Sequence, residues 1–435
     1  MARPPYLLAL CLICSVSISN YFAYHAPSAT VARWEHRYNL STREFGGLFT
    51  IYSAPNVVLV FFSGKLVDRY GVRSAAVGFN ILIVLGMIAC ALAPRNGANL
   101  LGASPYAWLL LGRTLLGLGG ESVCVCVFVM LSKWFRKRGL LNTAMALNQA
   151  TVQVLGSSAA FYVLPRCSLK RSLWLAVGVA MASLLATVAY HRVEAAWEAH
   201  LDDEEEEAAP GYAAVAQAEA KEKEAKPMAS RVFWVILVQI AFTTPVLYTF
   251  TAFGAAYLDE DFPNVERGAD AVTVLYLAIA TAPLAGAIVD RTGRRALVQC
   301  AATAQIPLAL AALALRLLRP SVCLGWMGVS YAFSEPNSLA LVALAVEPEW
   351  QGTAFGLEGC AISAALLIEP LVVGAMRDAT ASFQASIWLF VALTAAGAIA
   401  SLFLLVTDTD NLLNQKPTRA RRVAIDAADQ TPTPT

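Results

Sequence analysis

The stretch Gly64-Lys65-Leu66-Val67-Asp68-Arg69-Tyr70-Gly71-Val72-Arg73 returns once, as Gly286-Ala287-Ile288-Val289-Asp290-Arg291-Thr292-Gly293-Arg294-Arg295. Both copies read Gly, three residues, Asp-Arg, one residue, Gly, one residue, Arg, and both join two long apolar segments. A tight charged turn between membrane helices needs these residue types. The first Gly admits a neighbouring helix at close range. The Asp either pairs with the Arg groups or caps a helix N-terminus. The second Gly permits a sharp reversal, and the Arg cluster stays on the cytoplasmic side. Two copies in corresponding places of two apolar halves point to a chain built from a repeated bundle.

The rest of the chain fits such a bundle. Of 435 residues, 57% are hydrophobic and 14% charged, where a soluble domain carries about 25% charged. A span takes about 20 residues. Apolar runs predict twelve spans: Tyr6–Tyr24, Phe45–Gly64, Ser74–Ala93, Pro105–Leu131, Leu141–Leu164, Leu173–Tyr190, Val232–Tyr257, Ala271–Val289, Ala296–Leu315, Val322–Val346, Gly352–Met376 and Ile387–Val406. Residues 1–190 form one half and 231–407 the other. Between them, 191–230 reads as a solvated, disordered or loosely helical linker, carrying Asp202 to Glu207 and Lys221-Glu222-Lys223-Glu224. A polar tail follows, 408–435. The first run, preceded by Arg3, resembles a cleaved signal peptide, but removing it would break the two-half symmetry, so it is read as the first span. Pro245, Pro283, Pro336 and Pro370 are expected to interrupt their helices.

Several function classes fall away. A net charge of +1 gives no footing for nucleic acid. Nine cysteines are scattered through apolar segments. Cys11-x-x-Cys14 and Cys124-x-Cys126 lack a second Cys or His pair, so they read as buried thiols. No cofactor or metal site is expected, and no nucleophile–base set suggests an enzyme. The glycine-rich Gly112 to Gly120 run has no strand before it, so it serves helix packing rather than a dinucleotide. Asn39-Leu40-Ser41 is a glycosylation sequon. Basic clusters at Lys65, Arg69 and Arg73, at Lys133 to Arg138, and at Arg291 to Arg295 fall on one side, which is read as cytoplasmic with both termini, the linker and the tail. Arg166, Lys170 and Arg171 break that rule.

Charge within a span is costly, so each instance is a candidate. Glu121 leads, either binding a substrate ammonium or carrying a coupling proton. Arg113, two turns away, either holds its helix by an ion pair or binds a substrate carboxylate. Glu335, Glu358 and Glu369 divide between substrate contact and structural pairing. Tyr52, Asn56, Gln149, Gln153, Tyr248 and Tyr276, with Tyr21, Tyr24 and Asn148, either line a wet pathway or pack between helices. Gly64, Asp68, Arg69, Gly71, Arg73 and Gly286, Asp290, Arg291, Gly293, Arg295 are expected to act as gates.

The paired motif resembles the signature loops between helices 2 and 3 and helices 8 and 9 of the major facilitator superfamily. The resemblance implies an all-α membrane fold with twelve transmembrane helices in two pseudo-symmetric six-helix bundles. Four segments are more specific: Tyr52-Ser53-Ala54-Pro55-Asn56-Val57-Val58-Leu59-Val60-Phe61-Phe62, Gly112-Arg113 through Gly119-Gly120-Glu121-Ser122, Ser132-Lys133-Trp134-Phe135, and Gly352-Thr353-Ala354-Phe355-Gly356. They resemble the lysosomal dipeptide uniporters of that superfamily. That likeness implies dipeptides as small-molecule substrates, favouring cationic ones, with Glu121 at the peptide's amino end. It also implies a lysosomal or similar acidic membrane and a single-span glycosylated accessory protein as partner within the lipid bilayer; the plasma membrane is the alternative location. Among the departures from that pattern, one bears on the carboxylate. The family's helix 5 arginine for the peptide carboxylate aligns with Val154, beside Gln153, leaving Arg113 or a different substrate. An organic anion or monocarboxylate carrier is the alternative within transport, and a non-transporting sensor or scaffold lies outside it. Asp408-Thr409-Asp410-Asn411-Leu412-Leu413 and Tyr212-Ala213-Ala214-Val215 have the form of sorting signals.

Overall fold

The computed structural model describes residues 5–40, 42–95, 97–136, 138–207, 230–262, 268–380, 382–407 and 413–414. The sorting-signal residues 408–412 and 212–215, the Lys221 to Glu224 charge run, and Ser41 of the sequon lie outside them.

The described residues form twelve long helical segments. In the first half, α1 runs Tyr6–Val16 and Ile18–Ala29, α2 runs Thr42–Ser53 and Asn56–Tyr70, α3 is Val72–Leu92 and α4 is Pro105–Phe135. In α5, Leu141–Thr151 passes through a π-helical segment, Val152–Ser158, into Ala159–Val163. Leu169–Glu207 is α6. The second half comprises α7 (Arg231–Asp261), α8 (Gly268–Ile279 and Ala282–Thr292), α9 (Arg295–Ala314), α10 (Pro320–Ala345), α11 (Gln351–Thr380) and α12 (Gln384–Thr407). Ten of these, among the described residues, are long and apolar enough to cross a membrane. The two that fall short have a physical reason. The π-helical segment breaks α5, and α10 carries Ser334, Glu335, Asn337 and Ser338 at mid-length, all buried.

Three of the differences from the sequence reading bear on how the helices run. First, α6 runs on to Glu207 instead of ending near Tyr190. The linker composition suggested solvation, yet Glu194 is only 1% exposed and Glu198 lies one turn further on. Lys133 of α4 reaches Glu194 at 2.7 Å and Glu198 at 2.6 Å, and Arg73 of α3 reaches Glu198 at 2.7 Å. Cationic partners on two neighbouring helices make the extra turns stable where composition alone did not. Second, Pro245, Pro336 and Pro370 sit inside uninterrupted helices. Only Pro283 stands at a break, as the second residue of Ala282–Thr292, two residues past Thr281. Neighbouring helices can satisfy a freed carbonyl, so a buried proline need not end its helix. Third, α1 extends past Tyr24 to Ala29.

The two halves meet where the signature glycines lie. A Cβ on Gly64 of α2 would run into the Gly352 carbonyl of α11, and one on Gly286 of α8 would lie 2.6 Å from the Asn142 carbonyl of α5. No side chain fits at either crossing. Pseudo-equivalent helices of opposite halves therefore touch backbone to backbone, and a central cleft is lined by residues of both halves.

Candidate functional site

On α4 the glycine run sets the position of Glu121. A Cβ on Gly120 would collide with the Asn20 side chain of α1, so α4 lies directly against α1 and carries the next residue to the edge of the cleft. The cleft and its mouth, open to solvent, together span about 1000 Å³. Asn20, Tyr21, Tyr24 and His25 of α1, Tyr52 of α2 and Glu121, Cys124 and Phe128 of α4 form one wall, with Gln149 of α5. Thr244 and Tyr248 of α7, Glu335 and Ser338 of α10, and Phe355, Glu358 and Ser363 of α11 form the other.

The polar contacts are few. The Tyr52 hydroxyl donates to Glu121 Oε1 at 2.7 Å and lies 3.0 Å from the Asn20 side-chain oxygen. Asn20 Nδ2 in turn faces Cys124 Sγ at 3.7 Å. Across the cleft, Tyr248 donates a long 3.5 Å bond to Glu335 Oε1. Gln149 Nε2 and Glu335 Oε2 are each buried without completing a hydrogen bond. Glu358 has no hydrogen-bond or ion-pair partner among the described residues. Towards the signature-loop end the rings of Phe128 and Phe355 stand 5.2 Å apart and floor the cleft.

Of the residues singled out from the sequence, Tyr21, Tyr24, Tyr52, Glu121, Gln149, Tyr248, Glu335 and Glu358 face this space, and Arg113, Asn56, Asn148, Gln153, Tyr276 and Glu369 do not. Arg113 is 1% exposed and lies behind the wall. Its Nε donates to the Leu48 carbonyl at 3.1 Å, and Nη1 donates to those of Ala23 and Tyr24 at 3.3 and 3.4 Å. The rings of Tyr24, Phe49 and Tyr52 surround it at 5.1–5.5 Å. It ties α4 to α1 and α2 through backbone carbonyls and ring faces, with neither an ion pair nor a view of the cleft. Asn56 is buried where α2 breaks at Pro55, and its Nδ2 donates to the Tyr52 and Gly117 carbonyls at 2.9 and 3.1 Å. Gln153 lies inside the π-helical segment, accepting from Ser157 at 2.9 Å. Tyr276 is buried in the core of the second half. Of the remaining acids, Glu369 accepts from Thr249 at 2.8 Å away from the lining, and Val154 faces outward, 40% exposed.

Asn20, His25, Cys124 and Ser338 line the cleft without having been singled out. A polar Asn inside an apolar run is a signal that could have found Asn20. The other three offer none, because which face of a buried helix meets the cleft is a packing outcome.

Replacing Arg113 tests its structural assignment. Arg113→Ala leaves three carbonyls without their donor and is expected to cost about 2–4 kcal/mol of stability. It should lower the unfolding temperature in detergent while shifting ligand affinity of the folded fraction less than about threefold. An unchanged unfolding temperature with lost binding would return Arg113 to the substrate site.

The two signature aspartates make matching contacts. Asp68 Oδ1 accepts from the Gly352 N–H at 2.8 Å, and Oδ2 accepts from the Thr353 N–H at 2.7 Å and from its hydroxyl. Asp290 Oδ2 accepts from the Thr143 N–H and hydroxyl, both at 2.8 Å, and Oδ1 from the Asn142 N–H and amide at 3.3 and 2.9 Å. Each carboxylate of one half thus caps an N-terminus of the other, α11 or α5, where the helix dipole favours negative charge. Arg295 adds an ion pair to Asp290 at 3.2 Å. Gly71 and Gly293, at φ of 84° and 67°, make the turns. Arg73 binds Glu198, Arg69 is exposed against the Tyr70 ring, and Arg291 is exposed. Both sets of contacts are made, so the halves are joined at the signature-loop end.

A family model of the Major Facilitator Superfamily matches residues 11–357 and 266–431. A protein of Danio rerio named lysosomal dipeptide transporter MFSD1 is 26% identical over 382 residues, covering 86% of this chain and 80% of its own length. The Homo sapiens protein of that name is 25% identical over 394 residues, with the same coverage. Among solved structures, a double tryptophan mutant of XylE superposes with a TM-score of 0.74 at 12% identity, over 97% of this chain and 98% of that one. The human organic anion transporter MFSD10 superposes with a TM-score of 0.67 at 14% identity, over 92% and 100%. At these identities the structural likenesses speak for the fold alone.

Proposed function

The chain belongs to the major facilitator superfamily of membrane transporters, and we propose that it moves dipeptides, preferentially cationic ones, across a lysosomal or similar acidic membrane. The observation that carries the substrate reading is the cleft itself. Glu121 stands on one wall, oriented by the Tyr52 hydroxyl, and Glu335 and Glu358 stand on the other. A peptide ammonium held by Glu121 and a cationic side chain held by Glu335 or Glu358 would bridge the two halves. A bridging ligand gives the transporter a reason to close around cargo, because its binding energy is realised only when both walls are near. The similarity to proteins named lysosomal dipeptide transporters supports the reading.

In this proposal the bundles rock about the midplane site. The signature-loop end, rich in Arg and Lys, is cytoplasmic, and the closed latches leave the cleft to face the opposite compartment. A single-span glycosylated partner belongs to the same proposal. The carboxylate-carrier alternative loses its key residue, since Arg113 does not reach the cleft.

Thermal stabilisation of the purified protein against dipeptides, single amino acids, monocarboxylates and sugars tests this reading. A ligand at 100 times its Kd adds about 2.7 kcal/mol. Dipeptides, above all those containing lysine or arginine, are expected to raise the unfolding temperature. Stabilisation by monocarboxylates alone would replace the dipeptide reading with the anion carrier.

A further inference from the structure

The walls of the cleft carry three carboxylates and, among the described residues, no lysine or arginine. Both halves contribute acid, Glu121 from the first and Glu335 and Glu358 from the second. Glu335, only 8% exposed, lines the cleft beside the Gln149 amide and the Tyr248 hydroxyl, and its Oε2 completes no hydrogen bond with either. A buried carboxylate without a partner is costly, so a ligand cation is what completes these groups. The Arg113 guanidinium lies outside the lining: its Nε and Nη1 donate to the Leu48, Ala23 and Tyr24 carbonyls, and its Nη2 is buried without a partner. His25 is the one basic ring on the wall, edge-on to Tyr24 at 5.0 Å and 5.3 Å from Phe161. A free carboxylate entering this space would find no guanidinium or ammonium among the described lining residues to pair with.

Resting on the dipeptide reading above, we infer that this site recognises only the cationic groups of its substrate, and that substrates whose carboxylate is amidated or missing, namely peptide amides and aliphatic diamines, occupy the same cleft. The tyrosines already there suit such ligands, since Tyr21, Tyr24, Tyr52 and Tyr248 offer ring faces and hydroxyl acceptors to an ammonium and its methylene chain. The carboxyl end of a dipeptide is then tolerated rather than held.

The test compares lysyl-alanine, lysyl-alaninamide and 1,5-diaminopentane on the purified full-length protein by titration calorimetry. The amide is expected to bind as tightly as the free dipeptide or more tightly, and the diamine to compete with both. An amide weaker than the free dipeptide by about tenfold or more overturns the inference. If that preference then vanishes in His25→Gln, a carboxylate anchor at His25 is the reason. Binding of lysyl-alanine with failure of both other probes overturns this inference and leaves the dipeptide reading standing. Failure of all three overturns the dipeptide reading and this inference with it.

Discussion

Glu121→Gln is expected to weaken binding of an amino-bearing substrate by about 100-fold or more, because truncating one partner of a buried charge pair costs about 2–5 kcal/mol. The substitution keeps shape, and its amide oxygen still accepts from the Tyr52 hydroxyl at the position now 2.7 Å away, so the fold should survive. What disappears is the charge facing the ligand ammonium. Titration of lysyl-alanine into wild type and variant measures the ratio, and unfolding temperatures without ligand check that the variant is intact. Glu335→Gln should weaken cationic dipeptides more than neutral ones, since the second wall is assigned to the side chain. A Glu121→Gln protein that binds a dipeptide within about threefold of wild type removes Glu121 from the site.

Loss of the latches is the second large effect, and the two should differ. Asp290 is 2% exposed, accepts from four donors of α5 and is paired with Arg295. Asp68 makes its three contacts at a solvent-exposed position. A buried charge-assisted network is worth about 2–4 kcal/mol, and an exposed helix cap about 1 kcal/mol. Asp290→Asn turns an amide N–H2 towards backbone N–H donors and should depopulate the latched state by about 30-fold or more. Asp68→Asn should do so by about fivefold. In proteoliposomes both are expected to slow transport in that order while ligand affinity stays within about threefold. Wild-type transport in Asp290→Asn would show that this contact does not gate.

These outcomes separate what the amino-acid order already held from what it did not. Twelve spans, two halves and the place of both signature turns were legible because membrane helices are local objects. A run of about 20 apolar residues has nowhere else to go, and Gly, Asp and Gly at fixed spacing make a turn wherever they occur. The acid in the glycine run was legible too, since an intramembrane carboxylate is too costly to be incidental. The same reasoning could not rank the acids or separate Arg113 from them. Cost per charge is the same for a residue facing a cleft and one facing a carbonyl cage. Only the direction of the side chain, set by how α4 packs on α1 and α2, put Glu121 in view of the cleft and Arg113 behind it.

The length of α6 carries the same lesson. Glu194 and Glu198 read as the start of a solvated linker because composition counts charge and not partners, and their partners, Lys133 and Arg73, lie 65 and 125 residues away in the chain for the nearest pairings. By itself, then, the order of residues determined the class of fold, its internal repeat and the chemical types available for a site, since each of these follows from interactions within one segment and its solvent. The tertiary structure alone decided which acids share one cleft, which cation is withheld from it and which carboxylate caps which helix across the two halves. Those are long-range contacts, set by the packing of helices that no single segment encodes.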